Sequence, residues 1–199
     1  MTRELQTLFP SLVQISEIEG AAALNESLLT TIEAIRAETP NSRPDSWAST
    51  VYTTLNSADQ LHEMPQFAAL RDHIFRESTA FADALKLDHQ RFPLRITDCW
   101  FNIYGPKDGQ ESHLHANNLI SGSYYVKAPE GSSGLMFHSP MDNQMLDPPY
   151  SEFNDFNTVI AEMPITEGRM VLFRSFMRHS VRPSAIDDER ISVSFNLTM

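Results

Sequence analysis

The chain has 199 residues, with 15 Lys and Arg against 26 Asp and Glu, for a formal net charge of −11. That balance excludes a general nucleic-acid binder, whose first requirement is positive charge against phosphate, and it disfavours an anionic membrane surface as partner. Hydrophobic residues make up 41% and charged residues 21%, a globular composition, and the single cysteine, Cys99, permits neither an internal disulfide nor a cysteine metal cage and reads as a reducing, cytoplasmic location.

The opening stretch, MTRELQTLFPSLVQISEIEG, carries Glu4, Glu17 and Glu19 and lacks a continuous apolar core, so it is not read as a signal peptide. No run approaches the roughly 18 apolar residues of a membrane span. Residues 8–18 are expected to supply one strand, and the pattern up to about residue 90 is otherwise helical. Leu24, Leu28, Leu29, Ile32 and Ile35 recur at three- and four-residue spacing and mark one helix face, with Asn25 and Glu26 in the first turn. The end falls near Thr39, because Pro40 disfavours helix in the residue before it. A polar stretch with a short strand around Val51 leads to a second helix from about Pro65 to Leu87, lined by Phe67, Leu70, Ile74, Phe81 and Leu85.

From residue 91 the texture changes to short aromatic and β-branched runs broken by Gly, Pro, Asn and Asp. Strands are expected at 94–104, 112–115, 120–126, 134–138, 158–163, 169–174, 179–182 and 191–197. Such a series predicts a mainly β sandwich, barrel or jelly roll with supporting helices. The chain reads as one domain, 1–199, with a helical support region over 1–90 and a β core over 91–199. Residues 141–157, with Pro148, Pro149, Tyr150, Phe153 and Phe156, form a long irregular segment suited to binding or to packing over the sheet.

His113 and His115 form H-L-H inside an expected strand. Side chains two apart on a strand share a face, with Cα atoms about 6.5–7 Å apart. Two imidazoles so placed either converge on one metal ion, at about 2.0–2.2 Å per nitrogen, or stand on a solvated face. His179, after an apolar run and a short corner, is where a β barrel would deliver a third ligand from the opposite wall. His62, His73 and His89 fall in the helical half and need no function, and His138 reads as structural or substrate-facing. Eleven residues beyond His179, Arg190, Ser192, Ser194 and Asn196 share one face of the last strand, while Ile191, Val193 and Phe195 share the other. An Arg beside small hydroxyls suits a carboxylate held bidentately in a cavity; the plainer reading is a surface ion pair with Asp187, Asp188 or Glu189. Arg169, Arg174, Arg178 and Arg182 either line an entrance for an anionic substrate or form a solvated edge.

Seven blocks in order carry a resemblance: WFNIY (100–104), HLHAN (113–117), SGSYYV (121–126), Gly134 to Phe137, Gly168 to Phe173, His179 to Pro183 and Glu189 to Asn196. Residues 97–199 resemble the iron(II)- and 2-oxoglutarate-dependent oxygenases, in particular a bacterial and phage branch distantly similar to the prolyl hydroxylases. The resemblance implies a double-stranded β-helix, a cupin-like jelly roll, and use of Fe(II), 2-oxoglutarate and O2. It implies metal ligands at His113, His115 and His179, where His115 stands in the place of the family's usual carboxylate. Three neutral imidazoles leave the iron one unit more positive than two imidazoles and a carboxylate, and a bound 2-oxoglutarate dianion would neutralise it. The other alignment pairs His115 with Asn117, a poorer ligand. Arg190 maps onto the residue that binds the far carboxylate of 2-oxoglutarate, Ser192 onto its accompanying hydroxyl, and Tyr125 onto a tyrosine on the same carboxylate. Tyr104 and Asn102 are expected to help orient the cosubstrate.

The implied activity is oxidation of a C–H bond, usually hydroxylation, on a small-molecule or peptidyl substrate, with a homodimer left open. Two other classes stay open: a three-histidine cupin-type metalloenzyme that does not use 2-oxoglutarate, and a non-enzymatic metal-binding β barrel.

Overall fold

A computed structural model describes residues 2–140, 146 and 148–199. Alternation of apolar and polar residues sorts the strands into two antiparallel sheets. The larger contains β1 (Val13–Glu17), β2 (Tyr52–Thr53), β3 (Arg95–Tyr104), β5 (Ile120–Lys127), β8 (Arg169–Arg174) and β10 (Arg190–Thr198), in the order β1-β8-β5-β10-β3-β2. The smaller contains β4 (Gln110–His113), β6 (Leu135–His138), β7 (Ile160–Met163) and β9 (His179–Val181), in the order β4-β9-β6-β7. Consecutive strands alternate between the sheets from β3 onward, with β7 joining β6, which is the jelly-roll arrangement. The two strands from the first half, β1 and β2, extend the large sheet at its two edges. They are the strands expected within residues 8–18 and around Val51. Part of the expected 141–157 segment lies outside the described residues.

The large sheet has two unlike faces. Phe101 and Ile103 of β3, Tyr124 and Val126 of β5, and Val193 and Phe195 of β10 point to one side and pack against α1 (Ala21–Glu38) and α2 (Ala68–Ala84). Leu28 and Ile32 of α1 and Leu70, Ile74 and Phe81 of α2 are the helical half of this core, all with 1% exposure or less. The second helix starts with a 3-10 turn, Pro65–Phe67. Asn25 is not in the first turn of α1. The helix begins after Gly20, whose φ of 75° suits a glycine, and Asn25 falls a turn further in, where Tyr124 donates its hydroxyl to Asn25 Oδ1 at 2.6 Å. The polar residue thus faces the sheet because it caps a buried phenol. A smaller apolar cluster, including Tyr125, Phe137, Val171 and Phe173, lies between the sheets. Among the described residues no helix is long and apolar enough to cross a membrane.

Gly122 lies opposite Phe195 in the β5–β10 register, and a Cβ there would come 2.4 Å from the Phe195 ring and 2.8 Å from the Val171 carbonyl oxygen. Because a rigid ring and backbone are in the way, Gly122→Ala is expected to destabilise the fold by about 1–3 kcal/mol, read as a lower urea midpoint with an unchanged slope.

Candidate active site

The inner faces of the two sheets enclose a cavity of about 410 Å³. Its large-sheet wall comes from the polar alternates of three neighbouring strands. β3 presents Asp98, Trp100, Asn102 and Tyr104, β5 presents Ser123 and Tyr125, and β10 presents Arg190, Ser192, Ser194 and Asn196. The polar face of the last strand therefore looks into the cavity, not into solvent. Trp47 and Leu55 reach in from the segment between the helices. That segment is fastened to the β3–β4 turn: Asp108 Oδ1 accepts from the Thr50 amide at 3.1 Å and its hydroxyl at 2.7 Å, and Glu111 Oε1 accepts from the Ala48 amide at 2.7 Å.

The opposite wall brings the three histidines together. One ring nitrogen from each of His113, His115 and His179 lies within 4.8 Å of the others. His113 and His179 are partners in the β4–β9 register, with ring centroids 4.2 Å apart. His115 arrives differently from the expectation, because β4 ends at His113 and the shared-face argument does not reach it. Its backbone N–H instead donates to the Ser175 carbonyl at 3.0 Å, which turns its ring back to 5.2 Å from His113 and 5.1 Å from His179. Ser175 is itself held by Ser121 Oγ at 2.8 Å, and Ser121 also contacts Asn196 Oδ1 at 2.8 Å. Asn117 is exposed in the turn, with φ 65°, and does not line the cavity.

Two of the rings have their tautomers set by backbone. His113 Nδ1 lies 2.7 Å from the Glu111 carbonyl oxygen, and His179 Nδ1 lies 2.9 Å from that of Met177. A carbonyl only accepts, so each Nδ1 carries the proton and each Nε2 keeps its lone pair. Burial, first among the causes, pulls all three imidazoles below their ordinary value, His115 to about 4 and His179 to about 3. They are neutral at pH 7, which is the form a metal ion requires. The donor set and its spare lone pairs fit a divalent transition metal.

Arg190 is only 2% exposed. Its guanidinium carbon lies 4.0 Å from the centre of the Tyr104 ring, Nη1 donates to the Ser133 carbonyl at 3.0 Å, and its buried Nε has no acceptor. Among the described residues no carboxylate pairs with it. The surface ion pair is not formed, since Glu189 binds Arg36 and Asp188 binds Lys127, each at 2.8 Å. A buried charge without a counter-charge is strongly unfavourable. The arrangement therefore fits a carboxylate supplied by a ligand. Ser192 faces Tyr125 on one side and Asn102 on the other. Burial raises both phenols, Tyr125 to about 12, so the Tyr104 and Tyr125 hydroxyls stay protonated and able to donate. Among the described residues Arg169, Arg174, Arg178 and Arg182 do not line this cavity. Arg169 pairs with Glu17 and Arg182 with Glu162, and Arg174 lies over the Phe176 ring. His138 lies 2.8 Å from Ser180 Oγ, outside the cavity.

Sequence reasoning missed Asp98, Ser175, Trp47 and Leu55. Asp98 had a signal, because it shares parity with Trp100, Asn102 and Tyr104. Ser175 and the two loop residues had none, since their places depend on chain crossings that no local pattern encodes.

Residues 98–196 match the family described as "Putative 2OG-Fe(II) oxygenase". No curated protein sequence matches the chain significantly. Among solved structures, a Pseudomonas putida prolyl-4-hydroxylase superimposes with a TM-score of 0.63 at 15% identity, covering 94% of this chain and 92% of that one. The non-heme alpha ketoglutarate dependent epimerase SnoN from nogalamycin biosynthesis gives 0.68 at 15% identity, with 94% and 76% covered. HygX from Streptomyces hygroscopicus, with nickel, 2-oxoglutarate and hygromycin B bound, gives 0.62 at 12% identity, with 94% and 82% covered.

Burial of the histidines has a measurable sign. The unfolded chain protonates these imidazoles near pH 6.5, whereas the folded chain resists down to about pH 4 at His115 and about pH 3 at His179. Metal-stripped protein is therefore expected to lose stability as pH falls below 6.5, by up to about 1.4 kcal/mol per unit for each such histidine, levelling off below the folded values. Melting temperatures from pH 7.5 to 4.5 check this, and His179→Gln should flatten part of the slope. Fold, residue pattern and family match converge, and residues 98–196 of the chain belong to the iron(II)- and 2-oxoglutarate-dependent oxygenases, a family of oxidoreductases.

Proposed function

We propose that His113, His115 and His179 hold Fe(II), that Arg190 binds the far carboxylate of 2-oxoglutarate with Ser192, Tyr125 and Tyr104 beside it, and that the protein hydroxylates a C–H bond of a small-molecule or peptidyl substrate. When bound, iron and 2-oxoglutarate supply the O2-dependent oxidation that yields succinate, CO2 and oxidised substrate. The observation that carries the reading is Arg190, a buried guanidinium with no carboxylate partner among the described residues, which opens into the same cavity as three neutral imidazoles. A three-histidine enzyme working without 2-oxoglutarate, or a structural metal site, would account for the histidines and leave this arginine unexplained.

The residues divide the work. His113 and His179 offer Nε2 in tautomers fixed before any metal arrives. Arg190, stacked on Tyr104, offers a planar fork to a carboxylate. The apolar cluster of Phe137, Phe173 and Val181 behind the histidines keeps that wall dry. The first 90 residues are read as support for the same single domain, and the lone buried cysteine supports a cytoplasmic location.

Under nitrogen, wild type with Fe(II) and 2-oxoglutarate is expected to develop a weak visible charge-transfer band. Arg190→Ala should raise the 2-oxoglutarate requirement about thirtyfold or more, in line with about 2–5 kcal/mol for a truncated buried charge pair, and leave Fe(II) binding in place. Arg190→Lys should recover only part of the loss. His179→Ala should lose iron first. An unchanged 2-oxoglutarate affinity in Arg190→Ala would remove the reading's support.

A further inference from the structure

The cavity wall is electrically polarised along the strands. In the β3–β10 register Tyr104 faces Arg190, Asn102 faces Ser192, Trp100 faces Ser194 and Asp98 faces Asn196. The cation of this wall stands at one end and its carboxylate at the other, six residues or about 20 Å away along the strand. His115 lies beside the Asp98 half, its ring 5.8 Å from that of Trp100, and the rings of His113 and His179 lie 5.2 and 5.1 Å from His115. A cosubstrate anion at Arg190 therefore leaves the Asp98 end for something else.

That end is short of donors. Thr97 Oγ1 lies 2.8 Å from Asp98 Oδ2, 2.7 Å from Asn118 Oδ1 and 3.3 Å from the Asn196 carbonyl oxygen. A hydroxyl has one proton, so it satisfies one of these three acceptors at a time. Among the described residues the one other donor to the carboxylate is Asn196 Nδ2, at a long 3.3 Å. Among the described residues no Lys, Arg or His nitrogen forms an ion pair with Asp98. Asp98 and Asn118 both line the cavity, and both are partly buried. A carboxylate and an amide oxygen left facing a cavity call for a ligand rich in N–H. A primary ammonium brings three donors and no acceptor, and it is drawn towards a chain of net charge −11. Trp100, one row along, gives an aromatic wall for the cation and its methylene stem. Because the 410 Å³ must also admit the cosubstrate, what enters is slender.

We propose that the substrate carries a primary ammonium on a narrow aliphatic stem, received by Asp98 and Asn118, which brings the carbons of that stem past the histidine cluster. The inference rests on the oxygenase reading above and narrows its substrate class. The ammonium belongs either to a free amine or to a lysine side chain of a peptide.

Trp47 and Trp100 are the two tryptophans of the chain and both line the cavity, so their fluorescence reports occupancy without turnover. Protein loaded with Fe(II) and 2-oxoglutarate under nitrogen is titrated with hexylammonium, 1-hexanol, hexanoate and a blocked five-residue peptide with a central lysine. Hexylammonium or the peptide is expected to bind at least about tenfold more tightly than hexanol, with hexanoate weakest. The tighter of the two cations identifies the source. In Asp98→Asn the preference for the cation over hexanol should fall to about threefold or less. Hexanol equal to both cations on wild type, no response to either cation, or a preference that survives Asp98→Asn overturns the proposal. The wild-type ranking stands whether or not the variant folds. The charge-transfer band on the same samples separates the two levels: its absence overturns the site reading and this inference together, while a band without cation preference overturns the inference alone.

Discussion

A guanidinium at the bottom of a β barrel, stacked on a tyrosine and bonded to one backbone carbonyl, is the constraint around which the rest is arranged. Arg190 carries a guanidinium and is nearly sealed from water. The fold must therefore stabilise it through dipoles. The Ser133 carbonyl, the Tyr104 ring and the hydroxyl-rich face of β10 serve that purpose. None of them neutralises the charge, which keeps the site receptive. A carboxylate from Glu189 or Asp188 one or two residues away would have closed it, and both are drawn outward by Arg36 and Lys127.

The large sheet makes this possible by having two solvents. One face is an ordinary apolar interface with two helices, and it contributes the main hydrophobic stabilisation. The other can then carry Arg, Asp, Asn and Ser, because it is not asked to drive folding. The histidine wall solves a different problem. Its strands are three or four residues long, and ring positions are set by backbone bonds at Glu111, Met177 and Ser175 instead of by extended pairing. The hydroxyl chain through Ser175, Ser121 and Asn196 then ties the turn that holds His115 to the large sheet.

Much of this was legible from residue order. The strict alternation of Arg190, Ser192, Ser194 and Asn196 against Ile191, Val193 and Phe195 defines both faces of β10, and the structure keeps that partition. The eight strands of the second half appear close to their expected bounds, because Gly, Pro and Asn punctuate them. The geometry of His115 was not legible. It depends on a backbone bond to a residue sixty positions later, which spacing within H-L-H does not encode. Asn25 was misplaced for a similar reason: its partner, Tyr124, lies on another element. The contribution of Trp47 and Leu55 was invisible because they sit in a polar stretch without periodicity, and it is the bonds from Asp108 and Glu111 and the pairing of β2 with β3 that bring that stretch over the cavity.

The loop that carries Trp47 and Leu55 has a consequence for how such a protein diversifies. It belongs to the half of the chain outside the family match, whereas the histidines and Arg190 lie inside it. The reactive core and part of the rim that admits molecules to it are thus encoded in separate stretches, joined by the short β2–β3 pairing and, around Trp47, by a few carboxylate bonds. Residues 43–50, which carry Trp47, can drift in sequence or length without disturbing a β ladder, because the bonds of this segment to β3 begin at β2 and continue through Thr54, Asp59 and Gln60. Selection for a new guest can therefore act on the rim while the oxidising machinery stays as it is.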